Sequence, residues 1–164
     1  MGCGKKDSTS CVCEVLRAIK DIQDERIDED CLDCRDCFIE PLGTLTSPSR
    51  KKKADTRVFV LSTSDGTPFH AFITDQEPPN NTCVSIYFRV EEVFDNCCAR
   101  LRVLEPRSRS GAPVSLVGNG ACCVDLSNVC DVADFRSTSS CITVDLHCFC
   151  AVQCIRDVNL NICD

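Results

Sequence analysis

The order of hydrophobic and polar positions divides the chain into a helical start and a long β-patterned remainder. Val12, Val15, Leu16, Ile19, Ile22 and Ile27 recur at helical spacing, and Ser10 is placed to cap the first turn, which predicts an amphipathic helix over 11–29. Arg17 with Asp21 and Lys20 with Asp24 form i,i+4 pairs on its wet face. The apolar stripe is narrow and has to pack on its own domain or on a neighbouring subunit. Residues 30–53 carry Cys31, Cys34 and Cys37, then Pro41, Gly43, Pro48 and the basic run Arg50–Lys53, without periodicity. They read as a thiol-bearing linker.

From Asp55 the pattern is β. Runs at 57–63 and 67–74 flank Asp65-Gly66, a hairpin signal. Residues 83–91 alternate cleanly, predicting Val84, Ile86, Phe88 and Val90 inward and Ser85, Tyr87, Arg89 and Glu91 outward. After a turn at Asp95-Asn96, Ala99, Leu101 and Val103 alternate with Arg100 and Arg102. Residues 105–120 read as a long loop with a candidate short strand at 114–117. Further strands are expected at 122–126, near 129–135 and at 141–146. Last comes Val144–Cys154, whose period of two places Cys148, Cys150, Val152 and Cys154 on one face and Phe149, Ala151 and Gln153 on the other. Thiols on one face of one strand can rarely bridge each other, so their partners must come from elsewhere.

The expected architecture is mainly β: an antiparallel β-sandwich, jelly-roll or Greek-key like, with an N-terminal amphipathic helix and a cysteine-rich arm. The organisation that follows is an arm over 1–53 and a β-domain over 54–164 with a short C-terminal tail. No internal repeat is visible.

Composition sharpens this picture mainly through sulfur. The 164 residues contain 17 cysteines, an odd number, so at least one thiol stays free, binds something or pairs with another chain. A net charge of −7 argues against nucleic-acid binding, because the only basic cluster is Arg50–Lys53. No apolar run approaches the ~18 residues of a spanning helix. The polar N-terminus lacks a secretory signal, and Lys6 stands where a myristoylation pattern wants Ser or Thr. Gly2 and Gly4 before Lys5 do not have the spacing of a phosphate loop.

Several constellations could carry chemistry. Cys31-x2-Cys34-x2-Cys37 is similar to the front of an iron-sulfur run, but four residues later, where the fourth cysteine belongs, the chain has Pro41 after Glu40. Cys148, Cys150 or Cys154 could complete a zinc site with it. The adjacent pairs Cys97-Cys98 and Cys122-Cys123 place their side chains on opposite faces of a strand, so each can be tied in two directions. His70 and His147 are the only histidines, and neither is paired with a cysteine in a catalytic pattern. Asp145 is expected to meet solvent or an arginine, and the acceptor pattern Asn80-Asn81-Thr82 is uninformative without a secretory signal.

The chain resembles the spore-surface family of endospore-forming bacilli that includes CotY, CotZ and ExsY. The resemblance rests on Ala-Asp-Thr-Arg at 54–57 leading into Phe59, Pro68-Phe69 with Ala71-Phe72, Phe88-Arg89-Val90-Glu91, Cys98-Ala99 with Leu101 and Val103-Leu104, and above all on 144–154. It covers most of the chain from residue 11. Departures are Val58, where relatives often have proline, a denser cysteine cluster at 31–37, and the lack of a histidine-rich tail.

The resemblance implies a structural protein of the spore's outermost layer, crust or exosporium, without enzymatic activity. Such a protein is deposited from the mother-cell cytoplasm and assembles with itself, and with other spore-surface proteins, into a disulfide-cross-linked, hexagonal two-dimensional lattice. No catalytic residue, cofactor, resident metal, nucleic acid, membrane or small-molecule substrate is expected. Cys3, Cys11, Cys13, Cys31, Cys34, Cys37, Cys97, Cys98, Cys122, Cys123, Cys148, Cys150 and Cys154 are the candidate cross-linking residues. Those of the arm, Cys3 to Cys37, are expected to reach a neighbouring molecule. The alternative, from another functional class, is a cysteine-based metal-binding or thiol-redox module.

Overall fold

A computed structural model describes residues 10–30, 54–75, 83–118 and 124–162. The expected linker over 30–53 lies outside them except for Asp30, which ends the helix, and so does the candidate strand start at 122–123. The fold is mainly β and antiparallel, with one helix at its N-terminal side.

Helix α1 spans Cys11–Asp30. Ser10 sits at its start, and its carbonyl takes the first helical bond from Glu14 N at 3.1 Å. The Ser10 hydroxyl does not fold back as a cap but donates to Leu146 O at 3.4 Å, tying the helix start to the far end of the sheet. Val12, Leu16 and Ile19 are buried on one stripe while Ile22 is exposed. Burying three such side chains is worth about 1.5–3 kcal/mol each, enough to hold the helix on its own sheet. Lys20 pairs with Asp24 as expected. Arg17 turns away from Asp21, reaching Glu14 at 3.4 Å and the carbonyls of Phe94 and Asp95 at 3.1 and 3.2 Å.

The strands are β1 (Thr56–Ser62), β2 (Ala71–Phe72), β3 (Val84–Ser85), β4 (Phe88–Val93), β5 (Cys98–Arg107), β6 (Asp134–Asp145) and β7 (Ala151–Val158). Five form a sheet in the order β6-β5-β4-β1-β7, and β2 pairs with β3 in a separate ribbon. All these pairings are antiparallel. The Asp65-Gly66 turn forms, with Thr63 N donating to Thr67 O and Gly66 at φ +83°. Its second arm leaves β1 almost at once: Pro68 makes only an isolated bridge to Ser62, because proline has no N–H to extend the ladder.

Both faces of the sheet are covered, which overturns part of the alternation reading. On one face Phe59, Leu61, Phe88, Val90, Ala99, Leu101 and Val103 meet the helix stripe. On the other, Val58, Tyr87, Leu104, Phe135 and Val158 pack with Val114 and Leu116 of the 108–118 loop. Ser85, Tyr87 and Arg89, expected outward, are therefore buried. The 83–91 run is also interrupted, since Ser85 Oγ accepts from Tyr87 N at 3.1 Å and divides it into β3 and β4. Arg89 survives burial beside Glu91, 3.6 Å away, and burial pushes its pKa down.

Three other expectations change. β5 runs on to Arg107 instead of ending near 104. The strand expected near 129–135 is in its first part a 3-10 turn, Leu126–Asp131, started by the Asp125 carboxylate accepting from Ser127 N. The candidate strand at 114–117 contributes only bridges, Pro113 to Arg107 and Val117 to Val124.

The sheet is strongly curled. Only residues 146–150 join the end of edge strand β6 to the start of edge strand β7, and Arg156 of β7 donates to the carbonyl of Ala133 just before β6. The chain end is fastened beside the start of β1. The buried Asp55 carboxylate accepts from Leu160 N at 2.9 Å and Ile162 N at 3.0 Å.

Candidate cross-linking site

The long cysteine strand expected over 144–154 does not exist as one strand. Asp145 accepts from His147 N at 2.9 Å and starts a 3-10 turn over Leu146–Cys148, so β6 stops and β7 begins only at Ala151. A carboxylate that bonds a backbone N–H two residues on offers the chain an alternative to the ladder. Cys148 consequently sits in a turn, Cys150 in the bend after it and Cys154 on β7, and the three do not share one strand face.

Cys13, expected among the arm thiols that reach a neighbour, is bonded to Cys97 within the chain, with a Cα–Cα distance of 5.7 Å. Both residues are buried in the core between helix and sheet. Cys97 adopts φ +61° in the β4–β5 turn, where Cys97 N donates to Phe94 O. That turn conformation, not a strand, is what separates the directions of Cys97 and Cys98. Cys98 opens β5 opposite Asp145 and is free and half-buried. Cys150 is disulfide-bonded as well.

Cys11, Cys148 and Cys154 are free and exposed, as are Cys83, Cys130 and Cys141, which sequence reasoning did not single out. Cys141 lay in a run whose alternation with Ile142 and Val144 could have marked it as outward. Cys83 and Cys130 gave no such signal. Cys3, Cys31, Cys34, Cys37, Cys122 and Cys123 lie outside the described residues, as does Asn80-Asn81-Thr82.

His70 is exposed. His147 Nδ1 lies 2.8 Å from Asp145 Oδ1, and the bonds from His147, backbone first and then side chain, hold the Asp145 carboxyl below its usual range. Asp145 is exposed, so it meets solvent as expected, and it makes this local clasp as well. Among the described residues no group of three or more His, Cys, Asp or Glu is placed to hold a metal ion, and no helix is long and apolar enough to cross a membrane. What the arrangement offers chemically is a buried, inaccessible Cys13–Cys97 disulfide, a further disulfide at Cys150, and several thiols open to a partner.

Comparison with known proteins gives the same direction. The chain matches the family described as Spore coat protein Z over residues 1–157. It is 31% identical over 156 residues to Spore coat protein Z of Bacillus subtilis (strain 168), covering 94% of each chain. No solved structure matches. The chain belongs to the spore coat protein Z family, whose members are proteins of the spore coat.

Proposed function

We propose that this spore coat protein is a structural subunit that assembles with itself into a disulfide-cross-linked, hexagonally ordered two-dimensional layer at the outside of the spore. The observation that carries the reading is the division of its cysteines. One pair is spent inside the core on fastening the helix, while six of the described cysteines stand free at the surface. Buried thiols behave as small apolar residues, so a chain that keeps so many outside presents them to something. The organisation we propose is an antiparallel β-domain from residue 54, preceded by the cysteine-bearing arm. Other coat proteins can join through the same thiols.

The internal disulfide and the buried helix stripe restrict how assembly works. Val12, Leu16 and Ile19 face their own sheet, so they do not form the contact between subunits. Non-covalent docking starts the layer, and late oxidation locks it, because the cytoplasm in which the protein is synthesised is reducing. Electron microscopy of the purified protein at micromolar concentration, oxidised and then treated with reductant and heat, tests this. Extended ordered sheets or rolled tubes are expected, and dispersed monomers or dimers across a range of pH and salt would refute the lattice.

A further inference from the structure

One end of the molecule gathers sulfur from three elements that are far apart in sequence. Cys11 begins α1 next to Ser10, whose hydroxyl reaches Leu146 O. Leu146 N donates to Cys97 O at 3.0 Å, fixing the 146–148 turn, and with it Cys148, against the β4–β5 turn. Cys98 follows Cys97 and is opposite Asp145 in the ladder. Three free thiols, Cys11, Cys98 and Cys148, thus surround the buried Cys13–Cys97 bond. The same end carries an apolar group out of place: Phe94, in the β4–β5 turn, is 37% exposed although its carbonyl is held by Arg17.

Resting on the reading of the protein as a cross-linked subunit, we propose that this pole, with Phe94 as its apolar anchor and Cys11, Cys98 and Cys148 as its thiols, is the surface through which one copy of the chain docks on and is cross-linked to a second copy. The cysteine count favours a second copy as the occupant. With 17 cysteines at least one per chain cannot pair internally, and a second copy brings the same thiols to the contact. An exposed aromatic held on a rigid turn is the kind of group that anchors an interface at little entropic cost. The Cys13–Cys97 bond serves the pole by fixing the helix start to the Phe94 turn. It does not take part in exchange, because neither sulfur is accessible.

The bond forms with a low-molecular-weight disulfide as oxidant. The thiolate of one copy attacks a reagent sulfur, giving a mixed disulfide and releasing one small thiol. A thiolate of the other copy then displaces the second small thiol. Two protein thiols become one disulfide, and one reagent disulfide becomes two thiols.

Full-length protein is oxidised with oxidised glutathione, and its intermolecular disulfides are mapped by mass spectrometry of non-reduced peptides. Cross-linked peptides containing Cys11, Cys98 or Cys148 are expected. Replacing these three by serine should slow covalent dimer formation by about tenfold or more, since docked thiols react at effective millimolar concentrations against micromolar for chance encounters. Replacing Cys83, Cys130 and Cys154, which lie elsewhere on the fold, should not slow it. Phe94→Asp should slow it while leaving the circular dichroism of the monomer unchanged. If the pole triple variant cross-links as fast as the parent, or only through thiols elsewhere, the pole is refuted and the cross-linked subunit stands. If the parent itself forms no intermolecular disulfide, both fall.

Discussion

The Cys13–Cys97 bond should contribute strongly to the stability of this subunit, and its size can be worked from the loop it closes. The two residues are 84 positions apart. On the chain-entropy account a loop of that length lowers the entropy of the unfolded chain enough to stabilise the fold by about 4.5 kcal/mol, as an upper figure that strain in the folded state reduces. The perturbation is the double variant Cys13→Ala with Cys97→Ala. Alanine is preferred because two serines would leave hydroxyls in an apolar core at about 1–3 kcal/mol each, confusing the comparison. The helix should nevertheless stay docked in the variant, held by Val12, Leu16 and Ile19 and by the bonds of Arg17 to the 94–95 carbonyls. Urea denaturation of dilute monomer under non-reducing conditions reads the difference, with far-ultraviolet circular dichroism to show that the helix is retained. A loss of about 2–4 kcal/mol is expected, given that disulfides commonly deliver less than the entropic figure. Stability equal to that of the oxidised parent would refute the reasoning, and so would loss of helix signal before any denaturant is added.

Two further outcomes follow from single side chains. Gln23 is buried and spans two strands, donating to Val90 O at 3.0 Å and accepting from Arg57 N at 3.0 Å; Val90 O keeps a bond from Arg89 Nη1 at 3.3 Å, so Gln23→Leu should cost about 1–3 kcal/mol in urea denaturation, chiefly by taking the acceptor from Arg57 N. Hydrogen bonds from Thr63 and Thr67 hold the Asp65 carboxyl down at about 2, against 3.8 for the free group. A depressed carboxylate stabilises the fold fully above its unfolded pKa and loses that stabilisation as pH falls through its folded one, so the parent should weaken between about pH 4 and pH 2 more than Asp65→Asn does. Equal acid titrations of the two proteins would count against it.

What could be read from the sequence was whatever depends on local period. The helix of 11–29 came from the spacing of Val12, Leu16 and Ile19, and β5 from Ala99, Leu101 and Val103. Failures came where a residue's partner is distant. Tyr87 and Arg89 looked wet because alternation assumes one solvated face, and nothing local tells that the 108–118 loop folds over the other. The cysteine strand looked continuous because the period of two persists through 146–150. A single hydrogen bond from the Asp145 carboxylate to His147 N overrides it. The Cys97-Cys98 pair was legible as a group that could be tied in two directions, whereas Cys13 as the partner was not. Disulfide connectivity depends on which elements meet, and that is decided by the packing of the helix across β4 and not by spacing.

The clasp of Asp55 on Leu160 and Ile162 has a mechanical consequence for the cross-linked layer proposed above. Tension that reaches the β-domain through residue 54 meets this clasp first, and behind it β1, which is hydrogen-bonded to β4 on one side and β7 on the other. A pull along β1 loads those bonds together, so they must fail as a set. A pull across an edge strand would open them one after another. The clasp therefore puts the strand best able to bear load directly behind the point where the load arrives, and keeps the free end of β7 from being the place where peeling starts.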